Sequence, residues 1–112
     1  MALSIGYRRI GDISVIAPEG YIDTSTAGEL EEAIKKQLDE GAVKLIIDLG
    51  GVEFVSSAGW GIFVAYLKRA RTKGGDIKLS SLTEKVDKVF KLMEFDSLID
   101  AFEDAEAAAK NF

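Results

Sequence analysis

The chain has 112 residues, 47% of them hydrophobic and 29% charged, enough for a single domain spanning 1–112 that buries a core without staples. It contains no Cys and no His, which excludes a disulfide framework, a thiolate or imidazole metal site and a Ser-His-Asp triad. The net charge of -5 argues against a nucleic-acid binder, whose footprint is basic.

Leu3-Ser4-Ile5-Gly6-Tyr7 alternates apolar with small or polar residues, as a half-buried strand does. Gly11-Asp12 punctuates, and the β-branched run from Ile13 to Ala17 reads as a second strand closed by Pro18. The two form a hairpin. The N-terminal segment is not read as a leader, because Arg8 and Arg9 follow its apolar residues and no hydrophobic core comes after them. The longest apolar stretch, Trp60 to Leu67, is interrupted by Gly61 and falls far short of the ~20 residues of a membrane span. A cytoplasmic protein without membrane contact is expected.

Asp23-Thr24-Ser25-Thr26 is a block of helix N-cap formers, and Thr26 with Glu29 has capping-box spacing. Leu30, Ile34 and Leu38 then mark one face of a helix that Gly41 ends. Val43 to Leu49 suits a strand buried on both faces. Val52-Glu53-Phe54-Val55 leads into a loop, Phe54-Val55-Ser56-Ser57-Ala58-Gly59. The next helix runs from about Ser57 to Thr72, apolar nearly all round in its first half. Its basic end, with Lys68, Arg69, Arg71 and Lys73, is a solvated terminus favoured by the helix dipole. Asp76 to Leu79 is a short strand, and Val86, Val89, Phe90 and Met93 mark the buried face of a further helix. The tail from Leu98 to Phe112 holds a short apolar cluster and an Ala/Glu helix of weak burial.

The order is β-β-α-β-α-β-α-(β)-α. It predicts one α/β domain with a mixed, mostly parallel sheet of roughly four or five strands and helices packed against it. Sites in such sheets form beyond the carboxyl ends of the strands. Two loops qualify, Glu19-Gly20-Tyr21-Ile22-Asp23-Thr24 and Phe54 to Gly59. Ser57 stands where a helix begins. There a serine is either an N-cap or a phosphate acceptor, since the helix N-terminus holds an anion through its free N–H groups and dipole. A hydrolase elbow is excluded, because Val55 stands where the motif needs glycine and no base is present. No P-loop follows Gly50-Gly51, so no nucleotide or cofactor site is expected. Asp23 reads as a helix cap or as a polar group of a docking surface beside Ser57. Trp60 reads equally as core or contact.

These segments resemble the anti-sigma factor antagonist family, the bacterial STAS domain. Leu45-Ile46-Ile47-Asp48-Leu49-Gly50-Gly51-Val52-Glu53-Phe54 is similar to the family's third strand and the loop after it. It runs into Val55-Ser56-Ser57-Ala58-Gly59-Trp60-Gly61, where the family reads aliphatic-Asp-Ser-Ser/Thr/Ala-Gly-Leu-Gly. Gly20-Tyr21-Ile22-Asp23 with Ala27 resembles the family's Gly-x-Leu/Ile-Asp…Ala turn. The resemblance covers essentially the whole chain. It implies a STAS fold and a binding protein, not an enzyme. Such a protein binds an anti-sigma factor that is also a serine kinase of the GHKL type, and so frees a sigma factor. The kinase phosphorylates one serine of the antagonist, which then lets go, and a PP2C-type phosphatase resets it. The matching serine is Ser57, with Ser56 the secondary acceptor. Asp23, Thr24, Ser56, Ser57, Gly59 and Trp60 lie in or near the implied partner face. The family's Asp before the acceptor is Ser56 here, and Trp60 replaces a usual Leu. That departure keeps two alternatives open. One is a STAS scaffold that is never phosphorylated, and the other is a small-ligand sensor using the groove between the two loops.

Overall fold

A computed structural model describes residues 3–112; Met1 and Ala2, where the N-terminal reading begins, lie outside them. The expected α/β order is present, with one strand more. The elements are β1 (Ser4–Ile10), β2 (Ile13–Ile22), α1 (Ala27–Asp39), β3 (Lys44–Asp48), β4 (Gly51–Val55), α2 (Ser57–Thr72), β5 (Asp76–Ser80), α3 (Glu84–Leu92), β6 (Ala101–Phe102) and α4 (Ala105–Ala109). They build a six-stranded sheet in the order β1-β2-β3-β5-β6, with β4 also paired to β2. Among the described residues only the β1–β2 hairpin is antiparallel.

Strand β2 takes two parallel partners in succession. Its start pairs with β3, Ser14 to Leu45 through Ile16 to Ile47. Its end pairs with β4, from Glu19 with Gly51 to Ile22 with Val55. Pro18 does not close the strand as expected. It faces Ile5 of β1 and falls between the last β3 pair and the first β4 pair, so neither parallel ladder calls on the N–H it lacks. Between β3 and β4 the chain kinks at Asp48-Leu49-Gly50. There the Asp48 carboxylate accepts the Gly50 N–H at 3.0 Å, and the Leu49 N–H donates to the Ser80 carbonyl at 2.9 Å.

The core lies mainly on one face of the sheet. Leu30, Ile34 and Leu38 of α1, Phe63 and Leu67 of α2, and Val86 and Phe90 of α3 pack there on Ile16, Leu45, Ile47, Ile77 and Leu79. Strand β3 is buried on both sides, as its sequence predicts: Ile46 points to the second face with Ile13 and Val15. That face is covered by α4. The tail helix is therefore not weakly buried, since Ala105 and Ala108 pack directly on the sheet. Alanine is small enough for the helix to lie close to the strands. Lys78, only 5% exposed, stands on this face as well. It is held by Asp76 and Asp100, each at 3.2 Å, and by the ring of Phe112.

Two expectations about the helices need correction. Thr26 and Glu29 form no capping box: the Glu29 carboxylate accepts the Leu3 N–H at 3.0 Å, and the Thr26 side chain turns back into its own loop. On α3 only Val86 and Phe90 are buried, while Val89 and Met93 are exposed. The helix lies over the β4 side of the sheet, where a narrower stripe is covered.

Helices α1 and α2 are tied by the Tyr66 hydroxyl, which donates to Glu31 at 3.0 Å. Burial, then the bond to Glu31 and its charge, push the Tyr66 phenol above its ordinary value of 10.0. Above pH 10.0 the unfolded chain releases this proton first, so stability falls as pH rises toward the folded-state value. Unfolding midpoints measured across that range should drop less steeply for Tyr66→Phe than for the native chain.

Candidate functional site

The pairing of Ile22 with Val55 sets the site, because the two strands end side by side. The next residue on each chain is Asp23 and Ser56, and the Ser56 N–H donates to the Ile22 carbonyl at 2.8 Å. The two loops picked out by the sequence are thus neighbours.

The first loop is held by its own side chains. The Asp23 carboxylate accepts the Ser25 hydroxyl at 2.7 Å, the Ser25 N–H at 2.9 Å and the Thr26 N–H at 3.2 Å. The Thr26 hydroxyl donates to the Tyr21 carbonyl at 2.6 Å and accepts the Asp23 N–H at 3.0 Å. The Ser25 hydroxyl and N–H hold the Asp23 carboxyl below its ordinary range, against a smaller opposing effect of burial. Asp23 therefore shapes this turn, in the manner of an Asx-type loop, and Thr24 is exposed within it.

The second loop divides the two serines. Ser56 is the N-cap of α2, extended in backbone, and its hydroxyl accepts the Gly59 N–H at 3.4 Å. Ser57 is the first residue of the helix and is exposed. The capping reading of Ser57 is thereby corrected: that role belongs to Ser56. Serine and aspartate are both good N-caps, and Ser56 performs the cap without the charge an aspartate would bring. The first turn of α2 carries no acidic residue, which leaves the positive end of this 16-residue helix without a side-chain counter-charge of its own.

Gly59 and Trp60 belong to the packing beneath this surface. A Cβ on Gly59 would lie 2.7 Å from Ile22 Cγ2 and 2.8 Å from Val55 Cγ1, so glycine lets the helix approach the ends of β2 and β4. Trp60 is 2% exposed, stacked on Phe95 and Phe90 at 5.0 and 5.7 Å between centroids and edge-on to Phe63. Of its two readings, core is the correct one. Its indole N–H has no acceptor among the described residues, and a buried donor left unpaired costs about 1–3 kcal/mol.

The groove that the sequence reading set between the two loops is apolar, about 690 Å³ in volume, and extends between α3 and the β2–β4 pair. Tyr21 and Phe54, 45% and 47% exposed, stand opposite each other in register and line it, with Val89 across from them and Trp60 also in the lining. The exposure of Phe54 was not foreseen, because Val52-Glu53-Phe54-Val55 does not alternate: the register shift opposite Gly20 and Tyr21 leaves Glu53 and Phe54 both exposed. Among the described residues no group of acidic side chains is arranged to hold a metal ion, and no helix is long and apolar enough to cross a membrane.

A sequence model of the STAS domain matches residues 4–109. The anti-sigma-B factor antagonist of Listeria monocytogenes is 38% identical over 75% of this chain and 71% of its own. The anti-sigma-F factor antagonist RsfB of Mycobacterium tuberculosis is 35% identical over 80% and 78%. The crystal structure of an anti-sigma factor antagonist from Mycobacterium paratuberculosis superposes with a TM-score of 0.88, covering 97% of this chain and 92% of that one at 24% identity, and so attests the fold. With the sheet order, the paired loops and the serine at the head of α2 already in place, these matches show that the chain belongs to the STAS domain family, among the anti-sigma factor antagonists.

Proposed function

We propose that this protein is a phosphorylation-switched antagonist that binds an anti-sigma factor with serine kinase activity and so releases a sigma factor. It acts in the cytoplasm by binding, without catalysing a reaction itself. Ser57 is the acceptor, and a PP2C-type phosphatase removes the phosphate. One observation carries this reading: Ser57 is exposed at the first position of α2, while the neighbouring Ser56 performs the cap. A hydroxyl free of a structural role is open to transfer, and a phosphate esterified to it would meet the dipole and free N–H groups of the helix. The group adds about -1.5 to -2 charge to the face formed by Thr24, Ser56 and Ser57. The fold has no need to change.

Calorimetric titration of the cognate anti-sigma factor tests it. Ser57→Asp should weaken binding roughly tenfold or more, as for a charge set against a buried interface, with an unchanged circular dichroism spectrum. Ser57→Ala should bind as the native chain does and take up no phosphate from the kinase and ATP. Equal affinity of Ser57→Asp and native protein would sink the switch. Phosphate found on Ser56 would move the acceptor by one residue, at the expense of the cap.

A further inference from the structure

Strand β1 forms one edge of the sheet, and its pairing with β2 leaves a second set of backbone groups open. Gly11-Asp12 is a two-residue hairpin turn, so Ile10 and Ile13 form a bonded pair and every second pair beyond them does likewise. Pro18, which has no N–H, accordingly stands at an unbonded position opposite Ile5. Ser4, Gly6, Arg8 and Ile10 thus direct their backbone groups to β2, while Ile5, Tyr7 and Arg9 point theirs outward. Those outward groups have no backbone partner among the described residues. The strand has seven residues with no proline and no register shift, a long edge to leave open. We propose that β1 pairs antiparallel with β1 of a second copy of this chain, with Tyr7 on the two-fold axis.

That register uses every outward group. Tyr7 pairs with its own counterpart and Ile5 with Arg9 of the second copy, giving about six hydrogen bonds. With Arg8 on the axis two arginines would stand face to face. With Gly6 there, Arg9 would meet Leu3, whose N–H is held by Glu29. The side chains agree with the Tyr7 axis. Tyr7 is 56% exposed and would be covered by the same ring across the axis. The Arg9 guanidinium reaches only Ser14 Oγ, at 3.5 Å, and forms no ion pair among the described residues, although Asp12 and Glu40 line the same hollow. Helix α1 runs alongside β1, from the Leu3–Glu29 bond to the hollow that Arg9 shares with Gln37. The rises of strand and helix bring Ile5 level with the turn that carries Glu32, an exposed acid that lines a hollow with Tyr7. Each Arg9 therefore arrives beside Glu32 of the other copy, twice by symmetry. Of the lysines lining that hollow, Lys35 is taken by Asp39 at 3.8 Å, and Lys36 stands a turn further on. At the far end of the sheet β6 has only two residues, so pairing closes at two copies. Tyr7 faces Ile16, about 20 Å along β2 from Ile22 and the serines, so this inference does not depend on Ser57 being phosphorylated.

Sedimentation equilibrium tests it. The native chain should pass from monomer toward dimer as its concentration rises to about 1 mM. Tyr7→Pro removes an outward N–H and none that β2 uses, so it should keep the native circular dichroism spectrum and stay monomeric. Arg9→Glu sets acid beside acid and should weaken association roughly tenfold or more, and Glu32→Arg in the same chain should restore it. Ser57→Asp should dimerise as the native chain does. A native chain still monomeric at about 1 mM would overturn the proposal. So would a dimer that Tyr7→Pro leaves intact, one that Ser57→Asp dissolves, or a failure of Glu32→Arg to rescue Arg9→Glu.

Discussion

Trp60→Ala is expected to cost about 3–5 kcal/mol of folding stability, the range for removing a large aromatic from a packed core. The side chain is stacked on Phe90 and Phe95 and meets Phe63 edge-on, so its loss leaves three rings facing a void. Those rings come from α2, α3 and the turn at Phe95–Ser97, which join no common hydrogen-bonded ladder. The tryptophan therefore fastens α3 and the turn at Phe95–Ser97 to α2. Against a total of about 5–15 kcal/mol for a domain, the loss brings the fold close to its limit. Denaturant unfolding followed by circular dichroism measures it. A loss below about 1 kcal/mol would mean that the ring is not packed as described. Trp60→Phe retains an aromatic ring and releases the orphaned N–H, so its cost should be much smaller.

Gly75→Ala is expected to be comparably damaging, for a reason of space alone. A Cβ at this position would lie 1.9 Å from the Val43 carbonyl oxygen and 2.5 Å from the carbonyl carbon. Both are backbone atoms and cannot turn aside. The Val43 carbonyl accepts the Asp76 N–H at 3.0 Å, and the Gly75 N–H donates to Ala70 at 2.9 Å. Making room would break the start of β5 against β3 and the end of α2 together. A loss of about 3 kcal/mol or more follows. Gly74→Ala provides the contrast. Gly74 has φ +86 with nothing near its Cβ position, so alanine there meets only left-handed strain of about 1–2 kcal/mol. Thermal melts of the two variants should separate clearly. Equal midpoints would contradict the close approach.

Much of this architecture was legible in the residues, and the exceptions share a cause. Helices α1 and α2 declared themselves because apolar periodicity and terminal glycines agreed, although the details of their caps did not. Strand β3 was readable as an apolar run of strand length. What escaped depended on neighbours distant in sequence. Pro18 closes a strand only if a partner needs its N–H, and the change from β3 to β4 removes that need. Strand β4 was hidden because the kink at Asp48-Leu49-Gly50 and the register shift opposite it break a two-residue period. The helix-spaced pattern of α3 found Val86 and Phe90 but overstated the width of the face, since Val89 and Met93 look outward. Helix α4 is five residues long, too short for periodicity to report burial. At the site, the serine pair and Asp23 were evident from their loops. Which serine caps the helix was not, because the answer turns on a single residue of helix boundary.

Strand β2 is hydrogen-bonded along both edges, to β1 on one side and to β3 and then β4 on the other. Its amides on the β3–β4 side lie inside the sheet, so detaching the edge strand β1 does not free them. In deuterated water these protons should be among the last to exchange, leaving only when the whole molecule unfolds. Ser56 shares that anchorage through its bond to Ile22, at the very end of the strand. The head of α2 is thus tied to the slowest-opening part of the molecule, and a partner meets it in one persistent shape.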